Sequence, residues 1–391
     1  MIRTGVDVLL GEDDGALGRE LKGRRLGAIV HPASVTADLV HTAQALLDAG
    51  FHLRALFGPQ HGARGEKQDN MIESDHFTDP ATGLPVHSLY GDVRRPTPEM
   101  LDGLDVVICD LQDVGVRVYT FIWTMALAME ACGEAGVGFV VLDRPNPVGC
   151  LAREGPLLRP GFESFVGLHP LPLRHGLTCG EVSRWLVGER GVECELEVVP
   201  CEGLERATIW SKTGISWVMP SPNLPTPDSC AAYPGMVLLE GTNLSEGRGT
   251  TRPFELVGAP FIDGPALVAR LDRAELQGVR FRPCHFEPTF NKFVGETCGG
   301  IQLHVTDLER FRPVRVAVEL IAAVKELWPA GFAWREPPYE YEETLMPIDI
   351  LWGSAGLRTA VDEGSCPDAL LSEADDLDRF GREVEPYLLY V

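Results

Sequence analysis

Between Asp105 and Tyr119 an apolar run gives way to Asp110, Gln112, Asp113, Arg117 and Tyr119. Two carboxylates, an amide, a guanidinium and a phenol in one short turn can move a proton, grip hydroxyl groups or hold a carboxylate. Taken singly, Asp110 or Asp113 can equally cap the next helix, with Arg117 paired to one of them. Their density in one turn favours a site. A second group, Asp143-Arg144-Pro145-Asn146-Pro147, adds Asp143, Arg144 and Asn146. A third runs from Glu240 to Glu255, where glycines alternate with hydrogen-bonding residues and Glu240, Asn243, Glu246 and Arg248 stand out. Glycine lets backbone N–H groups approach a ligand closely. This third stretch is no phosphate loop, because the Gly-Lys-Ser/Thr ending is missing, and a structural hairpin is its alternative reading.

The chemistry these groups suit is hydrolysis of a glycosidic bond, which needs a proton donor for the leaving oxygen and a second group on the opposite face. A dinucleotide oxidoreductase is disfavoured, since His31-Pro32-Ala33-Ser34-Val35 carries no Gly-x-Gly-x-x-Gly fingerprint. A second class stays open: His31, His61, Asp110 and Asp143 at neighbouring strand ends can ligate a divalent metal for hydrolysis, although a strand-end histidine is commonly a hydrogen-bonded structural group.

The elements that must position these residues alternate. Arg25–His31, Leu53–Phe57, Val106–Asp110 and Phe139–Asp143 read as strands, with helices from His41 to Ala49 and from Phe121 to Ala135 ended by Gly50 and Gly136. Such β-α-β alternation predicts an α/β fold with a Rossmann-like, doubly wound, mostly parallel sheet, its ligand crevice at the carboxyl ends of the strands. The long polar loop from Gly58 to Asp75 follows the second strand, and loops of that length in compact domains usually work as lids or binding loops. It carries Gln60, His61, Glu66 and Glu73. Val86–Tyr90 reads as a short strand presenting Tyr90 to the same rim. Thr178-Cys179-Gly180-Glu181 is a capping box opening a helix to about Glu189, and Cys194–Pro200 reads as a further strand. The proline-rich segment Met219–Pro227 marks a boundary or a pinned surface loop, so a domain of residues 1–225 is expected, followed by a smaller α+β domain of residues 226–391. In the latter, Val279–Arg282 and Gly300–Val305 read as strands and Val314–Leu327 as an amphipathic helix.

A chain of 391 residues exceeds the usual single-core size, which also argues for two domains. The formal net charge of −23 argues against a nucleic-acid partner, which calls for a basic stripe. No apolar run approaches the ~20 residues of a membrane span. The start lacks the basic flank and apolar core of a signal peptide, so a cytoplasmic location and no membrane partner are the expectation. Ten cysteines, spaced without metal-ligand pairs, read as reduced, packed thiols.

Several motifs together carry a resemblance that runs nearly end to end. They are Phe57-Gly58-Pro59-Gln60-His61-Gly62, Thr82-Gly83-Leu84-Pro85-Val86 with Ser88-Leu89-Tyr90-Gly91, and Pro96-Thr97-Pro98-Glu99-Met100. Asp110-Leu111-Gln112-Asp113-Val114-Gly115, Leu142-Asp143-Arg144-Pro145-Asn146-Pro147, and Glu240-Gly241-Thr242-Asn243 with Ser245-Glu246-Gly247-Arg248-Gly249-Thr250 complete the set. On these the chain resembles the exo-β-N-acetylmuramidases of the NamZ type, long catalogued as a domain of unknown function. The resemblance implies a cleft between two domains, a small glycan partner (a muramic-acid-containing disaccharide or muropeptide) and no cofactor. Arg117, Arg144 or Arg248 would then hold the lactyl carboxylate of the sugar. One departure matters: related chains commonly read Pro-Glu-His-Gly where this one has Pro59-Gln60-His61-Gly62, and an amide cannot donate a proton as an acid. The expected catalytic set is therefore Glu66 as general acid, with Gln60, His61 and Asp113 as polar partners and Tyr90 near the scissile bond. The alternative is a sugar-binding protein that kept the cleft and lost the chemistry.

Overall fold

A computed structural model describes residues 2–11, 15–62, 65, 75–365 and 374–391. The first part of the chain forms strands β1 (Arg25–Val30), β2 (His52–Gly58), β3 (Phe77–Thr78), β4 (Pro85–Ser88), β5 (Val106–Asp110) and β6 (Gly138–Leu142). After an antiparallel pair, β7 (Glu154–Leu157) and β8 (Pro172–Arg174), comes β9 (Leu196–Val199). Seven of these build one sheet in the order β3-β4-β2-β1-β5-β6-β9, parallel throughout except for β3. From β1 the chain winds one way through β2 to β4 and, from β5, the other way through β6 to β9. The switch point lies between β1 and β5, the place where a doubly wound sheet opens a crevice.

The strands read as apolar because both faces are covered. Val107 and Cys109 pack on one face with Ile29, Phe57, Phe139 and Val141, while Val106 and Ile108 pack on the other with Leu26, Ala28, Leu56 and Val140. The helix Phe121–Ala135 closes the first face with Phe121, Trp123, Met125 and Met129, and ends where Gly136 takes φ 66°. The box Thr178/Glu181 opens the helix Cys179–Glu189. The expected strand through Tyr90 ends at Ser88, so Tyr90 sits just past it.

The smaller unit carries an antiparallel sheet, β10 (Leu256–Ala259), β12 (Cys298–Val305) and β11 (Val279–Phe286), in the order β10-β12-β11. The helix Gly264–Leu271 packs on it, and against that helix lies Pro313–Leu327, whose apolar stripe of Val314, Val316, Val318, Leu320, Ile321 and Val324 is buried. These residues belong to the same continuous core as the Val107 face of the large sheet, which holds the two units against each other. We propose the division between them at residues 225/226, before the helix Pro227–Met236. The proline-rich run ahead of that helix is a wall between the units rather than a surface loop: Pro220 accepts a bond from Tyr119, and Ser221, Asn223 and Leu224 are buried. None of the described helices is long and apolar enough to cross a membrane.

Candidate active site

A narrow cleft, with a cavity volume of about 30 Å³, lies between the units, beyond the carboxyl ends of β2 and β5. From the large sheet it is lined by Gln60 and His61 after β2 and by Tyr119 and Thr120 ahead of the helix Phe121–Ala135. From the smaller unit come Tyr233, Glu240, Arg248, Phe254, Tyr339 and Glu340.

Arg248 reaches inward because its neighbours turn the chain. Gly247 and Gly249 have φ of 83° and 81°, and a Cβ on either would meet a backbone oxygen at 2.6 Å, that of Leu256 or Phe290. No other residue type fits there. The guanidinium pairs with Glu240 at 2.8 Å and lies over the Phe254 ring. Its Nε is buried and has no hydrogen-bond partner among the described residues. Glu240 also accepts from the Tyr339 hydroxyl at 2.8 Å. Burial pushes the Glu240 carboxyl up, and Arg248 pulls against it. Behind Arg248 stands Glu246, held by Lys292 at 2.9 Å. Burial alone would raise Glu246, but Lys292 and Arg248 overcome it and leave this carboxyl below its usual range. Lys292 spends its other bonds on the carbonyls of Leu239 and Leu244, so it braces the loop that carries Glu240 and Arg248.

Glu340 has a different environment. It is 4% exposed, and its Oε2 accepts from the Tyr90 hydroxyl at 2.8 Å. Burial raises its carboxyl to about 7 against the opposing Tyr90 bond; Glu240 adds to the rise, and Arg248 and Arg94 reduce it. A directional chain sets this contact. Thr120 donates to Gln60 Oε1 at 2.6 Å, Gln60 Nε2 donates to the Tyr90 oxygen at 3.1 Å, and Tyr90 passes its proton toward Glu340. Here the amide does what a carboxylate cannot. Because the Tyr90 proton is spent on Glu340, its partner at position 60 must be a donor.

The structure thus brings together Gln60, His61, Tyr119, Glu240 and Arg248 of the residues singled out from sequence, with Tyr90 one hydrogen bond behind and Glu246 supporting Arg248. His61 holds φ 70° at the cleft wall. Glu66 and Glu73 lie outside the described residues. The other strand-end groups correct the expectation of one shared rim, because they are consumed internally. Asp110 is fully buried, taking bonds from Arg144 at 2.5 and 2.8 Å and from Thr42. Asp143 accepts from Thr178, Gly180 and Tyr390, and burial still lifts it to about 6. Gln112 donates to the carbonyls of Asp113 and Pro145, Asn146 ties Leu177 to Val148, and Asn243 ties Gly331 to Ala333. Asp113 accepts from Gly115 N and faces His175 at 3.5 Å. Arg117 is wholly buried and donates to the carbonyls of Pro156, Leu171 and Leu351, which makes it a strap between the units rather than a ligand group. Of the three arginines considered for a substrate carboxylate, Arg248 alone lines the cleft. Among the described residues no three His, Cys, Asp or Glu side chains come together as a metal site, so the set His31, His61, Asp110 and Asp143 does not assemble into one.

Sequence reasoning passed over Glu340, Tyr339, Tyr233, Thr120 and Lys292. The first two sit in Pro337-Pro338-Tyr339-Glu340-Tyr341-Glu342-Glu343, which resembles a solvated acidic turn. The usable signal was a single carboxyl flanked by two tyrosines directly after two prolines.

A parallel-sheet domain and a smaller unit closing on a polar cleft, with one buried carboxyl held up by burial beside one paired with arginine, define a two-domain α/β protein with a candidate acid-base site. Comparison with known proteins narrows the class. Residues 26–228 match the family "Exo-beta-N-acetylmuramidase NamZ, N-terminal" and residues 231–390 its C-terminal counterpart. The chain belongs to the NamZ family of exo-β-N-acetylmuramidases. It is 42% identical over its full length to the peptidoglycan β-N-acetylmuramidase NamZ of Bacillus subtilis (strain 168), covering 91% of that protein. Two crystal structures of DUF1343 family proteins from Bacteroides fragilis NCTC 9343 superpose with TM-scores of 0.89 and 0.77, at 35% and 28% identity. Each match covers 100% of this chain and 99% of the other.

Proposed function

We propose that the chain is an exo-acting glycoside hydrolase that removes the non-reducing-end N-acetylmuramic acid from peptidoglycan fragments, with Glu340 as its general acid. The observation that carries this reading is a carboxyl lifted to about 7 in the cleft of a chain with NamZ relatives. Cleavage of a glycosidic bond requires a proton on the leaving oxygen and a second carboxylate on the far face of the sugar. Two carboxyls in unlike surroundings, one buried against a phenol and one in an ion pair with arginine, are placed to provide both. Glu340, whose ionisation burial opposes, holds its proton up to about 7, and the oxygen that Tyr90 does not contact is free to carry it. Glu240, which burial pushes up and its ion pair with Arg248 pulls back toward the charged form, is the second carboxyl. Gln60 holds Tyr90 in register as a positioning residue, and His61 and Tyr119 offer polar contacts to the sugar. No step calls on a cofactor.

Arg248 selects the muramic sugar. Its place in the cleft, and an Nε that faces Glu246 at 4.0 Å without a hydrogen bond among the described residues, suit the lactyl carboxylate, and a guanidinium can grip a carboxylate through two parallel bonds. Seating that anion beside Glu340 also raises the Glu340 carboxyl further, so the substrate helps keep its own acid protonated.

The test is release of nitrophenol from 4-nitrophenyl β-N-acetylmuramide and from the matching glucosaminide by the full chain. Cleavage confined largely to the muramide is expected, and equal cleavage of both would overturn the assignment. Bound but uncleaved muramide would mean a sugar-binding protein. Arg248→Lys keeps the charge but loses the planar fork. It is expected to lower the muramide-to-glucosaminide ratio of kcat/KM by about 10- to 100-fold, the worth of one charged hydrogen bond. Gln60→Glu sets a carboxyl where Tyr90 requires a donor, so the alkaline edge of activity should move to higher pH. An unmoved edge would show that the Gln60–Tyr90–Glu340 chain does not control the acid.

A further inference from the structure

The residue after the proposed acid faces outward. Tyr339 and Glu342 pair in both directions, each N–H to the other's carbonyl at 2.9 Å, so Glu340 and Tyr341 are the two central residues of a tight hairpin turn. Both have positive φ, 47° and 67°. Turns of that kind favour Asn-Gly, and two residues with large side chains in the left-handed region are strained. The strain has a geometric result: adjacent side chains leave the turn in different directions, Glu340 into the cleft and Tyr341 to the surface, where it is 45% exposed. Tyr341 is one of few large apolar or aromatic side chains left so open.

The exposed ring is built into an aromatic group. Arg94 lies 4.4 Å from the Tyr341 ring centre and 4.4 Å from that of Tyr90, with Phe165 5.5 Å away. Tyr90 packs against both Phe165 and Tyr341, at 5.8 and 6.1 Å between ring centres. Arg94 is pinned further by its bond to the Gly91 carbonyl. Val166, next to Phe165, lines the cleft itself. The group therefore begins at the mouth of the cleft, and Tyr90 is common to it and to the acid.

We propose that Tyr341, with Phe165 and Arg94 behind it, forms the subsite for the leaving sugar. This rests on the muramidase reading above. A general acid delivers its proton to the oxygen joining the two sugars, so the departing pyranose must lie on the Glu340 side of the bond. The side chain it meets there, just outside the cleft, is Tyr341. An aromatic face suits the apolar C–H face of a pyranose, and the Arg94 guanidinium beside it supplies donors for hydroxyl groups. The strained turn couples the two tasks, since one backbone conformation aims the acid and presents the platform.

The test compares N-acetylmuramyl-β-1,4-N-acetylglucosamine with methyl β-N-acetylmuramide, whose leaving group is too small to reach the ring. The readout is the ratio of their kcat/KM values, with products quantified by mass spectrometry. Tyr341→Asn removes the ring but keeps a residue that tolerates positive φ, so the turn is preserved. It should lower the ratio about tenfold, near the upper limit for one ring contact, mainly through KM for the disaccharide. Tyr341→Phe should keep the ratio. An unchanged ratio in Tyr341→Asn, or an equal loss on both glycosides, overturns the subsite and leaves the hydrolase reading standing. If the unaltered chain cleaves neither glycoside, the hydrolase reading falls and the subsite with it.

Discussion

Glu340→Gln is expected to slow cleavage of the natural disaccharide by about 10²- to 10⁴-fold, the usual contribution of a placed general acid. The substitution keeps the size of the side chain and exchanges a buried carboxyl for a buried amide, so the fold should be retained; thermal unfolding checks this. The loss should depend on the leaving group. An N-acetylglucosamine alkoxide departs poorly without a proton, whereas dinitrophenolate departs readily. A dinitrophenyl muramide should therefore lose much less than the disaccharide. A uniform loss on both would mean that Glu340 serves binding or shape instead. Glu66→Gln, at the carboxyl singled out from sequence, is the matched comparison, and a smaller effect is expected there.

Asp110→Ala is expected to cost about 3–5 kcal/mol of stability, because it strands the Arg144 guanidinium, 4% exposed, without its countercharge. Urea unfolding measures this, and a loss below about 1 kcal/mol would contradict the buried-pair account. Protein that remains folded should bind the muramide with unchanged KM, since Asp110 does not line the cleft. That second readout matters. If Asp110 were a substrate ligand, as its position at a strand end suggested, KM would rise with little change in the unfolding midpoint. Replacing the pair together with apolar residues of similar volume should recover much of the stability.

These two residues show where sequence reading succeeds and where it stops. The parallel strands were legible because burial on both faces writes itself as β-branched runs, and Gly50, Gly136 and the Thr178/Glu181 box punctuate the helices. Gln60 and the Glu240–Arg248 loop were legible because glycine and polar residues alternate where backbone must approach a ligand. The role of Asp110 was not. A carboxylate at a strand end looks the same whether it meets a substrate or Arg144, and Arg144 is 34 residues away in the chain. Glu340 was harder still. Its carboxyl is raised because the closing of the smaller unit on the larger one buries it, and the Tyr90 hydroxyl that opposes the rise comes from 250 residues away. On its own segment it is one of several exposed-looking glutamates. Arg117 misled in the opposite direction, since a guanidinium in a polar turn invites a ligand, yet three backbone carbonyls claim it.

The pH dependence of kcat/KM on the β-N-acetylmuramide tests the central assignment most directly, because it reports groups of the free protein. Glu340 must carry its proton to act, and burial holds that proton up to about 7. While the acid limb of activity reports protonation of the second carboxylate, the alkaline limb should accordingly fall as pH rises through that value. The corresponding limb of kcat should lie higher, because the bound lactyl carboxylate opposes ionisation of Glu340. In Glu340→Gln the limb near 7 should vanish along with most of the rate on the disaccharide. A limb that persists unchanged in Glu340→Gln, or a variant as active as the parent on the disaccharide, would show that another group is the acid.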